Sequence, residues 1–237
     1  MRLACVIDMT TPKYHIADIF NPETAHPDDS HSIQARLIPA NSHVLELGCS
    51  SGYMSGYLEQ KKGCTVVGLD YDPLAIEIAK TRTSAAYLAD LEAPDPLNVA
   101  KVYAPFDVLY AANVLEHVRS AETVLKEAHS LLKPNALLIM TLPNIAHYSI
   151  RLRLLLGKFD YTDYGIMDRT HVHFYTVDTA RTLLKSAGYH VESLHIAGSF
   201  LQNWLNQRAR QANKPLPNPV LPDLLGYEMT FLAQKPS

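Results

Sequence analysis

Cysteine is scarce in this chain. Its three cysteines, Cys5, Cys49 and Cys64, are scattered through 237 residues. They make neither a disulfide framework nor a paired-cysteine zinc site. Long apolar runs are missing as well: no segment approaches the roughly 20 apolar residues that cross a bilayer. The apolar stretch at Met1–Ile7 is short and meets an acid at Asp8, too soon for a signal peptide. No membrane insertion is expected, and the expected compartment is the cytoplasm. Charge of one sign is not in excess. A net charge of −3 gives no overall pull toward nucleic acid or an anionic membrane. Repeats and low-complexity tracts are absent. What is present is ordinary, with 47% hydrophobic and 19% charged residues. That length and composition suit one α/β domain with a full core.

The most informative stretch is Val44-Leu-Glu-Leu-Gly-Cys-Ser-Ser-Gly52. A short apolar strand ends in an acid, and a glycine-containing turn then leads into a helix near Tyr53. Such a turn builds a nucleotide site at the carboxyl edge of a parallel sheet. Gly48 and Gly52 let the backbone approach a ligand where a Cβ would collide. A dinucleotide site would want G-x-G-x-x-G and no acid beside the phosphates. Here Glu46 stands two residues before Gly48, and its carboxylate is placed to reach into the crevice. An acid there suits a ligand carrying positive charge, which also disfavours a nicotinamide-dependent oxidoreductase. A second apolar strand, Thr65–Asp70, ends in an acid 18 residues after Gly52. An acid at that place meets ribose hydroxyls. Tyr71 and Asp72 follow, and Pro73 suits the first turn of a helix running to about Arg82. Asp90 and Leu91 follow a third short strand. The fourth, Phe106–Ala111, leads into Ala112-Asn-Val-Leu-Glu-His117.

Together these pieces resemble the class I S-adenosylmethionine-dependent methyltransferases. VLELGCSSG, VVGLDYDP, LADLE, FDVLYAANVLEHV and LLKPNALLIMTLPN occur in order over about residues 43–144. The resemblance implies an α/β fold with a Rossmann-like, mostly parallel seven-stranded sheet, helices on both faces and an antiparallel last strand. Periodicity alone supports only alternating strands and helices. The implied cofactor is S-adenosylmethionine. Glu46, Gly48 and Gly52 would border its methionine and sulfonium end, with Cys49, Ser50, Tyr71 and Asn113 nearby. Asp70 would meet the ribose, and Asp90 with Leu91 the adenine edge. Cys49 also reads simply as a small residue filling the turn.

The chain is expected to be a single domain, 1–237. It divides into an N-terminal extension at 1–29, a cofactor-binding core at 43–142, a substrate lid at 143–175 and an insertion at 200–225 before the last strand. Helices are expected at 30–38 with Ser30 as cap, and at 53–62, 73–82, 120–132, 176–187 and 200–212. Lys133-Pro-Asn135 should end the helix at 120–132. Strands are expected at 136–142, 189–196 and 226–233, with a proline-rich loop at 215–222. In the lid, 145–156 reads as a helix with an apolar inner face and an exposed basic edge. Arg151, Arg153 and Lys158 supply too few well-placed bases for a membrane-surface helix.

The lid continues as Gly165-Ile-Met-Asp168-Arg169-Thr170-His171-Val-His173-Phe174. This resembles a G-x-x-D-R-T-H-x-x-F run in one methyltransferase subgroup, associated with cell-surface sugar and secondary-metabolite pathways. The expected substrate is a small molecule, not nucleic acid. A hydroxyl acceptor must lose a proton, and histidine is the usual base. His171 is the first candidate, oriented by Asp168, and His117 the second. Tyr161, Tyr164 and Arg169 are candidate substrate contacts. His171 and His173 would share a face in an extended segment, but no further local ligands suggest a metal. Metal-dependent relatives carry E-x-x-E-H after strand four, and this chain has Asn113 in place of the first acid, so no metal is expected. O-methylation of a small metabolite or sugar is the expected reaction. N- or carboxyl-methylation of a small molecule or peptide, and a non-catalytic cofactor-binding partner protein, are the alternatives.

Overall fold

The computed structural model describes residues 20–21 and 24–237. Most of the expected N-terminal extension, with Cys5, Pro12 and Pro22, lies outside the described residues. In chain order the elements are α1 (Ser30–Leu37), β1 (His43–Leu47), α2 (Tyr53–Lys62), β2 (Thr65–Asp70), α3 (Pro73–Ala79), β3 (Ala85–Leu88) and β4 (Phe106–Ala112). Then come α4 (Ala121–Ser130), β5 (Leu132–Pro143), α5 (Tyr148–Leu155), α6 (Val177–Ser186), β6 (His190–Ala197), α7 (Phe200–Gln211), α8 (Pro222–Leu225) and β7 (Glu228–Gln234).

The seven strands form one sheet in the order β3-β2-β1-β4-β5-β7-β6. β7 runs antiparallel to both β5 and β6, as the methyltransferase resemblance implies. Strands β1, β2 and β4 are nearly continuous apolar runs because helices cover both faces. Alternation along each strand divides the core. Val44, Val66, Val108 and Tyr110 pack with Met54 and Leu58 of α2 and Ala35 of α1. Leu45, Leu47, Val67 and Leu109 pack on the other face with Val124, Leu125 and Ala128 of α4 and Leu184 of α6.

Several boundaries differ from expectation, each for a local reason. Asp29, not Ser30, caps α1, its carboxylate accepting from the Ser32 N–H at 3.1 Å. α3 stops at Ala79 rather than near Arg82. α4 ends at Ser130, and Lys133–Asn135 belong to β5. The register there jumps from Phe106 opposite Leu132 to Val108 opposite Leu137. A bulge thus absorbs the proline that reads as a helix end. The proline-rich loop closes with the short helix α8. Among the described residues no helix is long and apolar enough to cross a membrane.

Asp28 ties the start of the described chain to α7. It is 2% exposed, accepts from Asn206 Nδ2 at 2.8 Å and pairs with the Arg210 guanidinium at 2.5 Å. Burial pushes its carboxyl up, but the Arg210 and Asn206 hydrogen bonds and the Arg210 charge outweigh this and hold it below the usual range. A lowered carboxyl contributes stability that is present above its unfolded value and lost as pH falls through the folded one. Asp28→Ala is expected to cost about 2–3 kcal/mol, less than a fully buried pair because Arg210 is half-buried. Denaturant unfolding as a function of pH checks this. Wild type should lose stability in acid, and the variant should lack that part of the slope.

Candidate active site

The carboxyl ends of β1, β2 and β4 open onto one cavity of about 770 Å³. The turn after β1 shapes its floor. Gly48 adopts φ +70°, and a Cβ there would lie 2.8 Å from Val114 Cγ2. Its N–H and that of Cys49 donate to the Leu69 carbonyl at 2.8 and 3.0 Å, so β2 holds the turn. Asp70 then clamps it from the side. One carboxylate oxygen accepts from Ser50 N at 2.7 Å, and the other from Asp72 N at 2.9 Å. Burial pushes the Asp70 carboxyl up, partly opposed by these backbone donors. The Tyr71 backbone also donates to it, and since a carboxylate has about four acceptor sites, these three donors leave capacity for a ligand.

Of the residues expected to meet a cofactor, Gly48, Ser50, Asp70, Tyr71, Asp90, Leu91 and Asn113 line the cavity, whereas Glu46, Cys49 and Gly52 do not. The reasons are geometric. Glu46 shares its strand face with Val44, toward α2, where it is 3% exposed and bonded to the Ser55 hydroxyl. Burial pushes its carboxyl up to about 8, with Ser55 opposing and the Asp70 charge adding. It does not reach the crevice as expected. Cys49 packs with Ile76, Ala79 and Ala86. Gly52 has φ +72° and caps α2, where a Cβ would lie 3.0 Å from Ala79 Cα. Close helix packing demands that glycine. The charge reasoned from Glu46 comes from elsewhere. Asp70, Asp90, Glu92, Glu116, Asp168 and Glu228 line the cavity, with no lysine or arginine among the described lining residues.

The segment expected to be a lid supplies the far wall. Tyr164, Gly165, Asp168, Thr170 and His171 line it, opposite Glu116 and His117. Val172 and His173 N–H groups both donate to the Glu116 carbonyl, at 2.9 and 3.1 Å, which fastens the lid to the segment after β4. His171 Nδ1 lies 3.0 Å from the Ile166 carbonyl. A carbonyl only accepts, so Nδ1 carries the proton. Nε2 lies 3.9 Å from Glu116 Oε1. The Asp168 carboxylate binds the Thr170 N–H and hydroxyl at 2.8 and 2.7 Å, shaping the loop. His117 stacks edge-on to His171 with centroids 4.8 Å apart. Its Nδ1 lies 3.1 Å from Thr170 Oγ1. His173 turns instead to the Arg119 carbonyl at 2.9 Å, so it does not pair with His171. Arg169 binds Asp163 at 2.9 Å, and Tyr161 packs edge-on against Phe159. Neither lines the cavity.

Glu116, His117 and His171 each present a ligand atom, all within 4.8 Å of one another. Glu116 is 1% exposed, and its Oε2 has no hydrogen-bond partner among the described residues. Burial pushes its carboxyl up to about 8, its own backbone N–H opposes this, and the Glu228 and Asp168 charges add to it. These three could hold a divalent ion. Asn113, where metal-dependent relatives carry an acid, turns its amide to Glu228 Oε1 at 2.9 Å.

A family model described as a methyltransferase domain matches residues 27–194. The chain belongs to this methyltransferase family. It is an enzyme with S-adenosylmethionine as its cofactor. The methyltransferase is 25% identical over 186 residues to a ubiquinone biosynthesis O-methyltransferase of Xanthomonas axonopodis pv. citri, covering 77% of this chain and 75% of that one. A Coxiella burnetii protein of the same name is 28% identical over 113 residues. That match covers 47% of this chain, which spans about half (48%) of the Coxiella protein. The fold matches an S-adenosylmethionine-dependent methyltransferase of Mesorhizobium loti with TM-score 0.58 at 15% identity, covering 86% of this chain and 96% of that one.

Sequence reasoning did not single out Tyr53, Thr170, Tyr227 or Glu228 as lining residues of the methyltransferase, and it weighed Glu116 only as a metal ligand. One signal was available. The start of a reversed last strand lies at the same edge as the carboxyl ends of the parallel ones, and Glu228 sits there opposite Pro143.

Proposed function

We propose that this methyltransferase transfers its methyl group to a hydroxyl of a small metabolite or sugar, with His171 as general base. The observation that carries this reading is the Nδ1–H held on the Ile166 carbonyl, which leaves Nε2 as the proton-accepting nitrogen of a cavity-lining imidazole. The O-methyltransferase names of the relatives agree with an oxygen acceptor. The sulfonium is already an activated leaving group, so the protein's task is to position, exclude water and take a proton. Gly48, Ser50 and Asn113 would border the methionine and sulfonium end, Asp70 the ribose, and Asp90 with Leu91 the adenine edge. The cavity acids Asp70, Asp90, Glu92, Asp168 and Glu228 suit the sulfonium and ammonium charges, whereas Glu116, pushed up to about 8, is largely neutral near pH 7. Tyr164, Asp168 and Thr170 would face the acceptor. His117 is the reserve base.

The cluster of Glu116, His117 and His171 supports a second reading. A divalent ion held there would polarise the acceptor oxygen as a Lewis acid. Asn113 weighs against it, because one hard anionic ligand is replaced by an amide already turned to Glu228. One experiment separates the readings. Methyl-labelled S-adenosylmethionine is incubated with a metabolite extract, with and without EDTA. The expected result is an alkali-stable methyl ether formed equally in both. An alkali-labile ester or labelled amine would defeat the hydroxyl assignment. Loss of product with EDTA, restored by added magnesium or zinc, would make the three residues metal ligands.

A further inference from the structure

The outer surface of the cap over the site is unusual. In α5 only Ile150 is buried, while Leu152, Leu155, Leu156 and Phe159 are 55%, 83%, 64% and 52% exposed. The lid helix therefore lacks the apolar inner face expected of it, because its leucines point outward. α7 is inverted in the same sense. Its buried side chains are Gln202 and Asn206, held by each other, by the Pro217 carbonyl, by the Val220 N–H and by Asp28. Phe200 and Trp204, four residues apart on one helix face, are 87% and 45% exposed. Single exposed apolar residues are normal, but a helix with its polar side in and its aromatics out is not.

The two helices belong to one cap. β5 and β6 are both antiparallel to β7, so they end at the same sheet edge, and α5 and α7 follow them there. Residues 217–227 join the pair. Gln202 binds this segment at one end, and Asn144, just before α5, donates to the carbonyls of Pro222, Asp223 and Gly226.

Charge indicates what covers this face. The whole chain has 24 acids against 21 lysines and arginines. Residues 145–158 and 199–221 contain no acid at all, but they hold Arg151, Arg153, Lys158, Arg208, Arg210 and Lys214. Arg153 binds Asp160 and Arg210 binds Asp28. The other four have no carboxylate partner among the described residues, and Arg208 lies 5.2 Å over the Trp204 ring. The net charge of −3 conceals this local separation. The nearest exposed acids, Asp160 and Asp163, are each paired with an arginine, Arg153 and Arg169, so apolar and aromatic side chains beside four bases without a carboxylate partner match a surface that is apolar and anionic at once.

We propose that the α5–α7 cap docks on an anionic lipid bilayer. The leucines, Phe200 and Trp204 enter the headgroup boundary while Arg151, Lys158, Arg208 and Lys214 face lipid phosphates. Docking is peripheral, since no described helix can span. The cavity mouth on the same sheet edge would then open beside the lipid.

The test is co-sedimentation of the full chain with vesicles of phosphatidylglycerol and phosphatidylcholine, against phosphatidylcholine alone. Binding to the anionic vesicles should be at least tenfold tighter and should weaken with added salt. Trp204, the chain's one tryptophan, should shift its emission to the blue. The double variants Leu155→Glu/Leu156→Glu and Phe200→Glu/Trp204→Glu should each lower binding at least tenfold. Their affinity for S-adenosylhomocysteine should stay unchanged, which shows them folded. No vesicle binding by wild type, or equal binding by both folded variants, overturns the proposal. So does self-association of wild type that these variants abolish, because the face would then belong to a second copy.

Discussion

Replacing His171 by alanine should lower kcat by about 10²–10⁴-fold, the range a general base contributes, with affinity for S-adenosylhomocysteine nearly unchanged. The side chain is 5% exposed, and its Nδ1 is held on the Ile166 carbonyl at 3.0 Å. That bond selects one tautomer, and the proton-accepting nitrogen is fixed before any substrate arrives. In the proposed reaction His171 Nε2 would take the proton of an acceptor hydroxyl in the cavity, and S-adenosylmethionine, when bound, would supply the methyl group. His171→Asn separates chemistry from scaffolding. Asparagine can keep a hydrogen bond to the Ile166 carbonyl but cannot act as a base near neutral pH. A scaffold role predicts near-normal turnover for this variant; a base role predicts a loss close to that of alanine. The edge-on contact with His117 makes His117→Ala the necessary companion. If His117→Ala is crippled while both His171 variants turn over normally, the base is His117.

Asp70→Ala should weaken S-adenosylhomocysteine binding by about 10²–10³-fold in calorimetry. Two charge-assisted hydrogen bonds to ribose hydroxyls are worth about 3–4 kcal/mol together. The carboxylate also accepts from the Ser50 and Asp72 N–H groups beside the floor of the cavity. Its removal also loosens the turn at Ser50, while the Leu69 carbonyl still holds Gly48 and Cys49. Asp70→Asn keeps one acceptor oxygen and should fall between wild type and alanine. Unliganded thermal unfolding of the three proteins shows how much of the loss is turn disorder. Wild-type affinity in Asp70→Ala would end the ribose assignment.

Much of the scaffold is legible because local chemistry and tertiary structure agree. Pro73 and Asp72 start α3 as their types dictate: proline in the first turn, and a carboxylate accepting from Leu74 and Ala75. Val124, Leu125 and Ala128 recur on one face of α4 at helical spacing, and all are buried. β5 was misread at its start because Lys133-Pro-Asn135 carries a helix-end pattern that a bulge can also absorb. In the site, strand tips were legible because any acid there emerges at the carboxyl edge. The direction of each side chain was not. Glu46 and Leu47 are neighbours in sequence, yet alternation sends Glu46 to Ser55 and Leu47 into the opposite core.

Sequence alone determined the order of strands and helices, the glycine turn, the acid at the end of β2 and a segment after β5 rich in histidine and tyrosine. Each depends on interactions within a few residues: apolar periodicity, capping, and backbone angles that glycine permits. Tertiary structure decided what meets across the cavity. Glu116 and His171 are 55 residues apart in the chain, and only the lid's return to the Glu116 carbonyl brings their side chains to 3.9 Å. It also decided that α7 turns Gln202 and Asn206 inward and Trp204 outward. The buried partners of those amides, Asp28 and the Pro217 carbonyl, lie far away in sequence, and no helical periodicity can encode them.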